Sequence, residues 1–417
     1  MLDLDDIQGD VLEGLQKNVE NFIFFKIVDP IFFKSMLKQY VVNRITSAQQ
    51  ANHRGMITQR RKKLGQARSH RFHGINLGFS HNGIRQLIGA ALPKLDPAFE
   101  RGADHQDTIK MLNDPPSSTW VKKFVSDRID GVFLITGSDR PSVTSHSDEL
   151  LRFLSTSMKV LYSEVGNTRP GAERGHEHFG FLDNISQPGI RGLTPMSDPL
   201  RRPDEGLPGQ NLIWPGEFVF GCPGQDPDHP TKEGPPPHMA APWLRNGSYM
   251  VFRRLEQKVP EFRRFAAERA ARLGMDPQLL AARMVGRWKS GAPLELAPLR
   301  DNPALGREDK RNNDFEFGDD RFQRKCPYAA HIRKVNPRGD VAAAEVQRHR
   351  IIRAGIPFGP EVEPGETTTR QSRGLMFRVL SNLDRAAVRI HPEPLCKQPG
   401  FCRGKAAPRW RSGHPWL

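Results

Sequence analysis

The sequence predicts an α+β protein built from two comparable halves. Three observations carry this reading. Strand-like and helix-like segments alternate in two runs along the 417 residues; a stretch rich in Pro, Gly and Asp separates the runs; and the composition, 37% hydrophobic and 26% charged, is that of an ordinary globular chain. At ~100–200 residues per domain the length fits two domains. The expected division is a first domain over 1–195, a second over 196–384, and a basic tail over 385–417.

Asn21 to Val28 (NFIFFKIV) is β-branched and aromatic, which predicts a strand, and Ile31, Phe33, Met36, Leu37 and Tyr40 keep a helical period after it. Gly74 to Phe79 (GINLGF) predicts a second strand, followed by a helix over 81–92 with Ile84, Leu87 and Ile88 on one face. Gly131 to Thr136 (GVFLIT) is a third strand. Ser145 to Val165 reads as one long helix whose Leu150, Leu151, Leu154, Met158 and Leu161 form a core stripe. From Gly189 to Pro242 the residues turn to Pro, Gly and Asp (PGQDPDHPTKEGPPPH), broken only by IWPGEFVF at 213–220, and the segment reads as a linker or long surface loop. Ser248 to Arg253 (SYMVFR) predicts a strand. Pro260 suits the first turn of a helix to Leu273, and Pro277 opens another through Trp288. Gly374 to Leu380 (GLMFRVL) is the last strand.

Charge and composition exclude several classes of function. The formal net charge is +15, but it is concentrated after Arg385, where seven basic residues face one acid, and in QRRKK at 59–63. No zinc finger, basic zipper or RNP box accompanies it, so no nucleic-acid partner is expected. No run of ~18 apolar residues predicts a membrane span, and MLDLDDIQGD lacks the basic and apolar regions of an export signal, so the chain as it stands is expected to be soluble and cytosolic. The four cysteines contain no C-x2-C pair, which argues against a structural zinc site. Oligomeric state has no signature here.

Three clusters place ionisable residues beside Gly and Pro: HEHFGFLDNISQP at 176–188, CPYAAHIRKVNPR at 326–338, and RHRIIRAGIPFGP at 348–360. Singly, each reads as a turn, a capping histidine or a basic strand. His176, His178 and Asp183 would also make the donor set of a non-haem iron site, two histidines and a carboxylate.

Together, and in this order, the clusters resemble the signature of the dye-decolorising peroxidases, haem enzymes unrelated to plant-type peroxidases. GFLDNISQP is similar to that family's GxxDG segment, AHIRKVNPR to the segment with the haem-ligand histidine, and RIIRAGIPFGP to the segment with the distal arginine. The likeness extends through LDDIQGDVLEGLQKN, INLGFSHNGI, LIWPGEFVFG, WLRNGSYMVFRRLEQ and NNDFEFGDD, from near residue 3 to about 384, and is strongest to the longer fungal members, many of them secreted. The resemblance implies two ferredoxin-like domains with antiparallel sheets, haem b as cofactor, hydrogen peroxide as oxidant and an aromatic or dye-like electron donor. It implies His331 as the iron ligand, with an open position opposite for peroxide. Asp183 is the implied proton carrier and Arg353 the implied cation for charge on the leaving oxygen. His178 and Arg338 match positions near the haem propionates.

The chain departs from the family pattern twice. Asn184 stands where the motif ends in glycine, and asparagine tolerates a left-handed backbone better than other side chains. After SNLDR the sequence (AAVRIHPEPLCKQPGFCRGKAAPRWRSGHPWL) shows no helical or strand period. The family's carboxylate partner of the ligand histidine, and its closing strand, are expected in that part. Asp384 is the local substitute as partner, and the expected consequences are an unpaired sheet edge and weak haem retention. A haem-binding relative with little peroxidase activity is the alternative that follows.

Overall fold

The computed structural model describes residues 2–382 except 66–71, 127, 194–200, 227, 230 and 348. Asp384 and the basic tail lie outside the described residues. Two antiparallel sheets, packed face to face and flanked by helices, make up the body of the molecule.

The first sheet contains β1 (Val19–Ile27), β2 (His73–Phe79), β3 (Gly131–Gly137) and β4 (Met158–Asn167) in the order β2-β3-β1-β4. That order, with helices between β1 and β2 and between β3 and β4, is the ferredoxin-like arrangement. Two helices, α1 (Pro30–Met36) and α2 (Ala48–Lys63), follow β1; α3 (His81–Ile88) follows β2; and α4 (Arg140–Leu154) follows β3. The near-continuous apolar run of β1 is explained by its central place. Ile23, Phe25 and Ile27 face the helices beside Phe33, Phe133, Val143, Leu150 and Leu154. Phe22 and Phe24 face the other way, onto Ile356, Phe358 and Met376 of the second sheet. A strand covered on both faces has no polar face to show.

The second sheet is formed by β5 (Tyr249–Glu256), β6 (Ile352–Phe358) and β7 (Gly374–Ser381), ordered β6-β7-β5. Helices α5 (Val259–Leu273) and α6 (Pro277–Val285) follow β5, and the short α7 (His331–Val335) precedes β6. Among the described residues β5 is an edge strand, at the position that β4 covers in the first sheet.

Two expectations are corrected. The helix expected over 145–165 ends at Leu154, and Met158–Asn167 is β4. The apolar stripe crosses this boundary by coincidence of spacing. Leu150 and Leu154 belong to a helix begun by Asp139, whose carboxylate caps Ser142 N at 2.9 Å with Pro141 in the first turn. After Ser155-Thr156-Ser157 the β-branched and aromatic KVLYSEV fills the fourth place on the sheet beside β1.

The segment over 189–242 is not a surface linker. Ile190, Ile213, Phe218, Val219 and Cys222 are buried in one cluster with Ile7, Val11 and Leu12 from the start of the chain and Ile352 and Leu380 from the second sheet. Gly189–Ile190 pairs in parallel with Leu212–Ile213, and Gly224–Gln225 pairs with Glu233–Gly234. Its glycines and prolines shape tight turns inside a core that both halves share. Helix α2 has no apolar period, and only its charge was evident from sequence.

Candidate active site

The Asp183 loop is shaped before any ligand is considered. The buried Glu177 carboxylate accepts from Phe179 N at 2.9 Å and Phe181 N at 2.8 Å, while Phe181 packs with Phe262 of α5 and Phe179 lies 4.5 Å from the Phe262 ring. Burial raises the Glu177 carboxyl pKa, against these bonds. Leu182 N donates to Lys289 O at 3.1 Å and Asp183 N to Gly175 O at 2.9 Å. The Asp183 carboxylate, whose Oδ1 accepts from Asn184 N at 2.6 Å, is left exposed.

Asn184 takes φ +61, the left-handed conformation its sequence position called for, and its Oδ1 accepts from Gln187 Nε2 at 3.3 Å. Gln187 also makes a two-way pairing with the backbone of β6. Arg353 N donates to Gln187 Oε1 at 3.2 Å, and Gln187 Nε2 donates to Arg353 O. In β6 the side chains of Ile352, Ile356 and Phe358 fill the core, so the alternating strand period turns Arg353 to the opposite face. There its guanidinium donates to Ser186 O at 2.6 Å and stands 3.9 Å from Asp183 Oδ1.

His331 opens α7. Surrounding protein depresses its imidazole pKa to about 4, chiefly through burial, then through the charge of Arg353, with Asp183 opposing. Yet solvent reaches the side chain. The charges that the ring senses are those of Arg353, Asp183 and Lys334. The structure therefore brings His331, Asp183 and Arg353, from three distant segments, within electrostatic reach of one another.

Beside them lies a surplus of buried positive charge. Arg287, Arg338 and Arg350 have pKa values lowered by burial to about 9, about 10 and about 10. Mutual repulsion adds to the effect on Arg287 and Arg350. Arg338 reaches Ser186 Oγ at 3.3 Å, the residue whose carbonyl holds Arg353, so the cluster adjoins the Asp183–Arg353 pair. None of the three forms an ion pair among the described residues, and the Arg350 Nε is buried without a partner. Such a cluster fits a ligand bearing two carboxylates, as the porphyrin of haem does, and His331 is a suitable nitrogen donor for iron. Sequence reasoning named Arg338 but gave no role to Arg287, Arg350 or Gln187; nothing in GRWKSG, RHRIIRAG or NISQP marks them before the chain is folded.

His178 is placed differently. It is 2% exposed, its Nε2 donates to Phe358 O at 2.8 Å, and its backbone N donates to Gln257 Oε1. The charges around it are those of Arg169, Glu361 and Arg373 rather than those of Asp183 and Arg353. His176, His178 and Asp183 do not form the non-haem iron site: among the described residues no three His, Cys, Asp or Glu side chains converge as an ion would require.

Burial holds His178 neutral in the fold, below its ordinary pKa, where an unfolded chain would protonate it near ~6.5. Its contribution to stability is therefore complete above that pH and lost as pH falls toward the folded value. Thermal denaturation between pH 7.5 and 5 is expected to show a shallower loss of stability in His178→Gln than in the unsubstituted protein; equal slopes would refute this linkage.

A histidine with an Asp–Arg pair within its electrostatic reach, carried on this pair of α+β sheets, suits a peroxidase-type oxidoreductase. A family model described as the DyP dimeric alpha+beta barrel domain matches residues 6–170. The dye-decolorising peroxidase msp1 of Mycetinis scorodonius is 38% identical over 391 residues, spanning 90% of this chain and 70% of the relative. Among solved structures, an ancestral D-type dye-decolorising peroxidase matches with a TM-score of 0.78 and 36% identity, over 92% of this chain and 81% of that one. A dye-decolorising peroxidase in complex with 2,6-dimethoxyphenol matches with a TM-score of 0.75 and 34% identity, over 92% and 82%. The chain belongs to the dye-decolorising peroxidase family, whose members are haem enzymes. Among the described residues no helix is long and apolar enough to cross a membrane.

Proposed function

We propose that this protein holds haem b through His331, reduces hydrogen peroxide beside Asp183 and Arg353, and oxidises dyes, phenols or similar one-electron donors. The observation that carries the proposal is the approach of Arg353 to Asp183 within the electrostatic reach of His331, with a carboxylate-seeking arginine cluster beside them. Related proteins are named for decolorising dyes, and one is known in complex with a phenol.

His331 and Arg338 would hold the cofactor, with Arg287 and Arg350 supplying further positive charge toward its carboxylates. When bound, haem supplies the iron at which the O–O bond of peroxide is broken and the oxidising power passed on to donors. The protein supplies the rest. His331, neutral down to about pH 4, offers a lone pair from its ring. The Asp183 carboxylate accepts the proton of the nearer peroxide oxygen and returns it to the farther one, so that water rather than hydroxide leaves. Arg353, fixed by Ser186 and Gln187, lowers the energy of negative charge on the departing oxygen. His178 acts at a distance: by bonding Phe358 O it secures the end of the strand that carries Arg353.

The test is Asp183→Asn, close in shape and unable to carry the proton. In hemin-loaded protein the second-order rate with peroxide is expected to fall ~10²–10⁴-fold while hemin affinity is unchanged. An unaltered rate would remove Asp183 from the mechanism and the proposal with it.

A further inference from the structure

We propose that Arg333 is the positioning residue for His331, and that it acts by geometry rather than by charge. This rests on the reading of His331 as the haem ligand. Helix α7 has only five residues, too few to persist by its own hydrogen bonds, and its N-cap is Ala330, which offers no side-chain cap. Metal-holding imidazoles are ordinarily aimed by a bond from the second ring nitrogen. Among the described residues the His331 ring makes no hydrogen bond, and what they supply toward its direction is the backbone that carries it.

That backbone is fastened at Arg333. The side chain is fully buried, and every N–H-bearing nitrogen of its guanidinium is engaged. Nε and Nη2 donate to the two Asp340 oxygens at 2.6 and 2.8 Å. Nη1 donates to Asp320 Oδ2 at 3.1 Å and Cys326 O at 2.6 Å, and Nη2 also reaches Phe317 O and Asp320 O. The guanidinium lies 4.2 Å from the Tyr328 ring centroid and 4.8 Å from that of Phe317. Asp320 in turn accepts from the backbone N–H groups of Arg324 and Cys326 at 2.8 and 2.9 Å. The chain is thus pinned five residues before His331 and two residues after it, by one fork.

The opposite side of α7 is set by Gly286 at the end of α6, where an added Cβ would stand 2.3 Å from Ile332 Cγ1. The helix has no room to shift toward α6. Neither Arg333 nor its two carboxylates are among the charges that perturb His331, which are Arg353, Asp183 and Lys334. The coupling from Arg333 to His331 therefore runs through backbone position.

The test is Arg333→Lys, which keeps the charge but replaces a planar five-donor fork with a point cation. Hemin-loaded protein is reduced, and the iron–imidazole stretching band is recorded by resonance Raman spectroscopy beside apo-protein stability. The expected result is a weakened or displaced band and a ~10–100-fold loss of hemin affinity, with the apo protein still folded by circular dichroism. A band and affinity equal to those of the unsubstituted protein, with only stability reduced, would overturn the proposal. If Arg333→Lys does not fold, Asp340→Asn weakens half the fork and is read in the same way. Failure of the haem reading is distinguishable, because the unsubstituted protein would itself then lack a His331-dependent band, and the role of Arg333 would fall with it.

Discussion

His331→Ala is expected to abolish the iron–imidazole signature of the hemin-loaded protein and to reduce peroxide turnover by more than ~100-fold. Loss of groups that merely orient a metal-bound histidine costs ~10–100-fold in affinity or activity, and loss of the donor itself exceeds that. The size of the effect follows from removing the one ring nitrogen that the proposed reading assigns to the iron. The surrounding protein keeps the ring a neutral donor down to about pH 4, so the difference between the two proteins is expected to persist across mildly acidic buffers. The check is a hemin titration followed by Soret absorbance, with stopped-flow mixing against peroxide. Turnover within tenfold of the unsubstituted protein would show that the donor lies elsewhere.

The largest expected effect on stability lies outside this site, in the tie between the start of the chain and the second sheet. Arg378 of β7 is fully buried and donates to both oxygens of Asp10, at 2.7 and 3.0 Å, with Glu20 of β1 at 3.3 Å. Burial alone would lower its pKa, but the two carboxylates outweigh burial and raise it. Asp10 also accepts from Leu15 N at 3.1 Å, and its own N–H donates to Asn76. Asp10→Ala leaves a buried guanidinium with half its partners, and breaking such a pair typically costs ~3–5 kcal/mol. Against a usual total of ~5–15 kcal/mol this is severe, and chemical denaturation at neutral pH measures it directly. A change below ~1 kcal/mol would mean that water or Glu20 compensates. Where the variant remains folded, its peroxide kinetics after hemin loading are expected to be unchanged, since Asp10 pairs with Arg378 between the two sheets and bonds none of His331, Asp183 or Arg353 among the described residues.

The legible and illegible parts of this chain differ for physical reasons. NFIFFKIV, GINLGF, GVFLIT and GLMFRVL were legible as strands because β-branched and aromatic residues bounded by Gly or polar residues leave few alternatives. The helix expected through Val165 failed because Leu150, Leu154, Met158 and Leu161 satisfy a helical period that Ser155-Thr156-Ser157 interrupts. Only the open place beside β1 makes KVLYSEV a strand. The segment over 189–242 was misread for a related reason. Gly and Pro mark turns whether those turns face water or, as around Phe218 and Val219, close a core.

The sequence by itself determined the chemical identities at the site. Asp183, His331 and Arg353 were named from three short segments through their resemblance to the motifs of a known family, the side chains themselves being a carboxylate, an imidazole and a permanent cation. The segment carrying Arg353 read from sequence as a basic strand or turn, and its faces, with Ile352 and Ile356 on one side and Arg353 on the other, followed only once it was seen as β6. Only the tertiary structure brought Arg353 to 3.9 Å from Asp183 and set both within electrostatic reach of His331. It alone revealed Gln187 gripping the backbone of Arg353, the repelling cluster of Arg287, Arg338 and Arg350, the burial of His178 against Phe358, and the fork of Arg333 behind His331. Each of these is a relation between groups from separate segments or the consequence of their exclusion from water. Hydrogen bonds, desolvation and Coulomb energy depend on distance in space, and the chain sets that distance only when its sheets have packed.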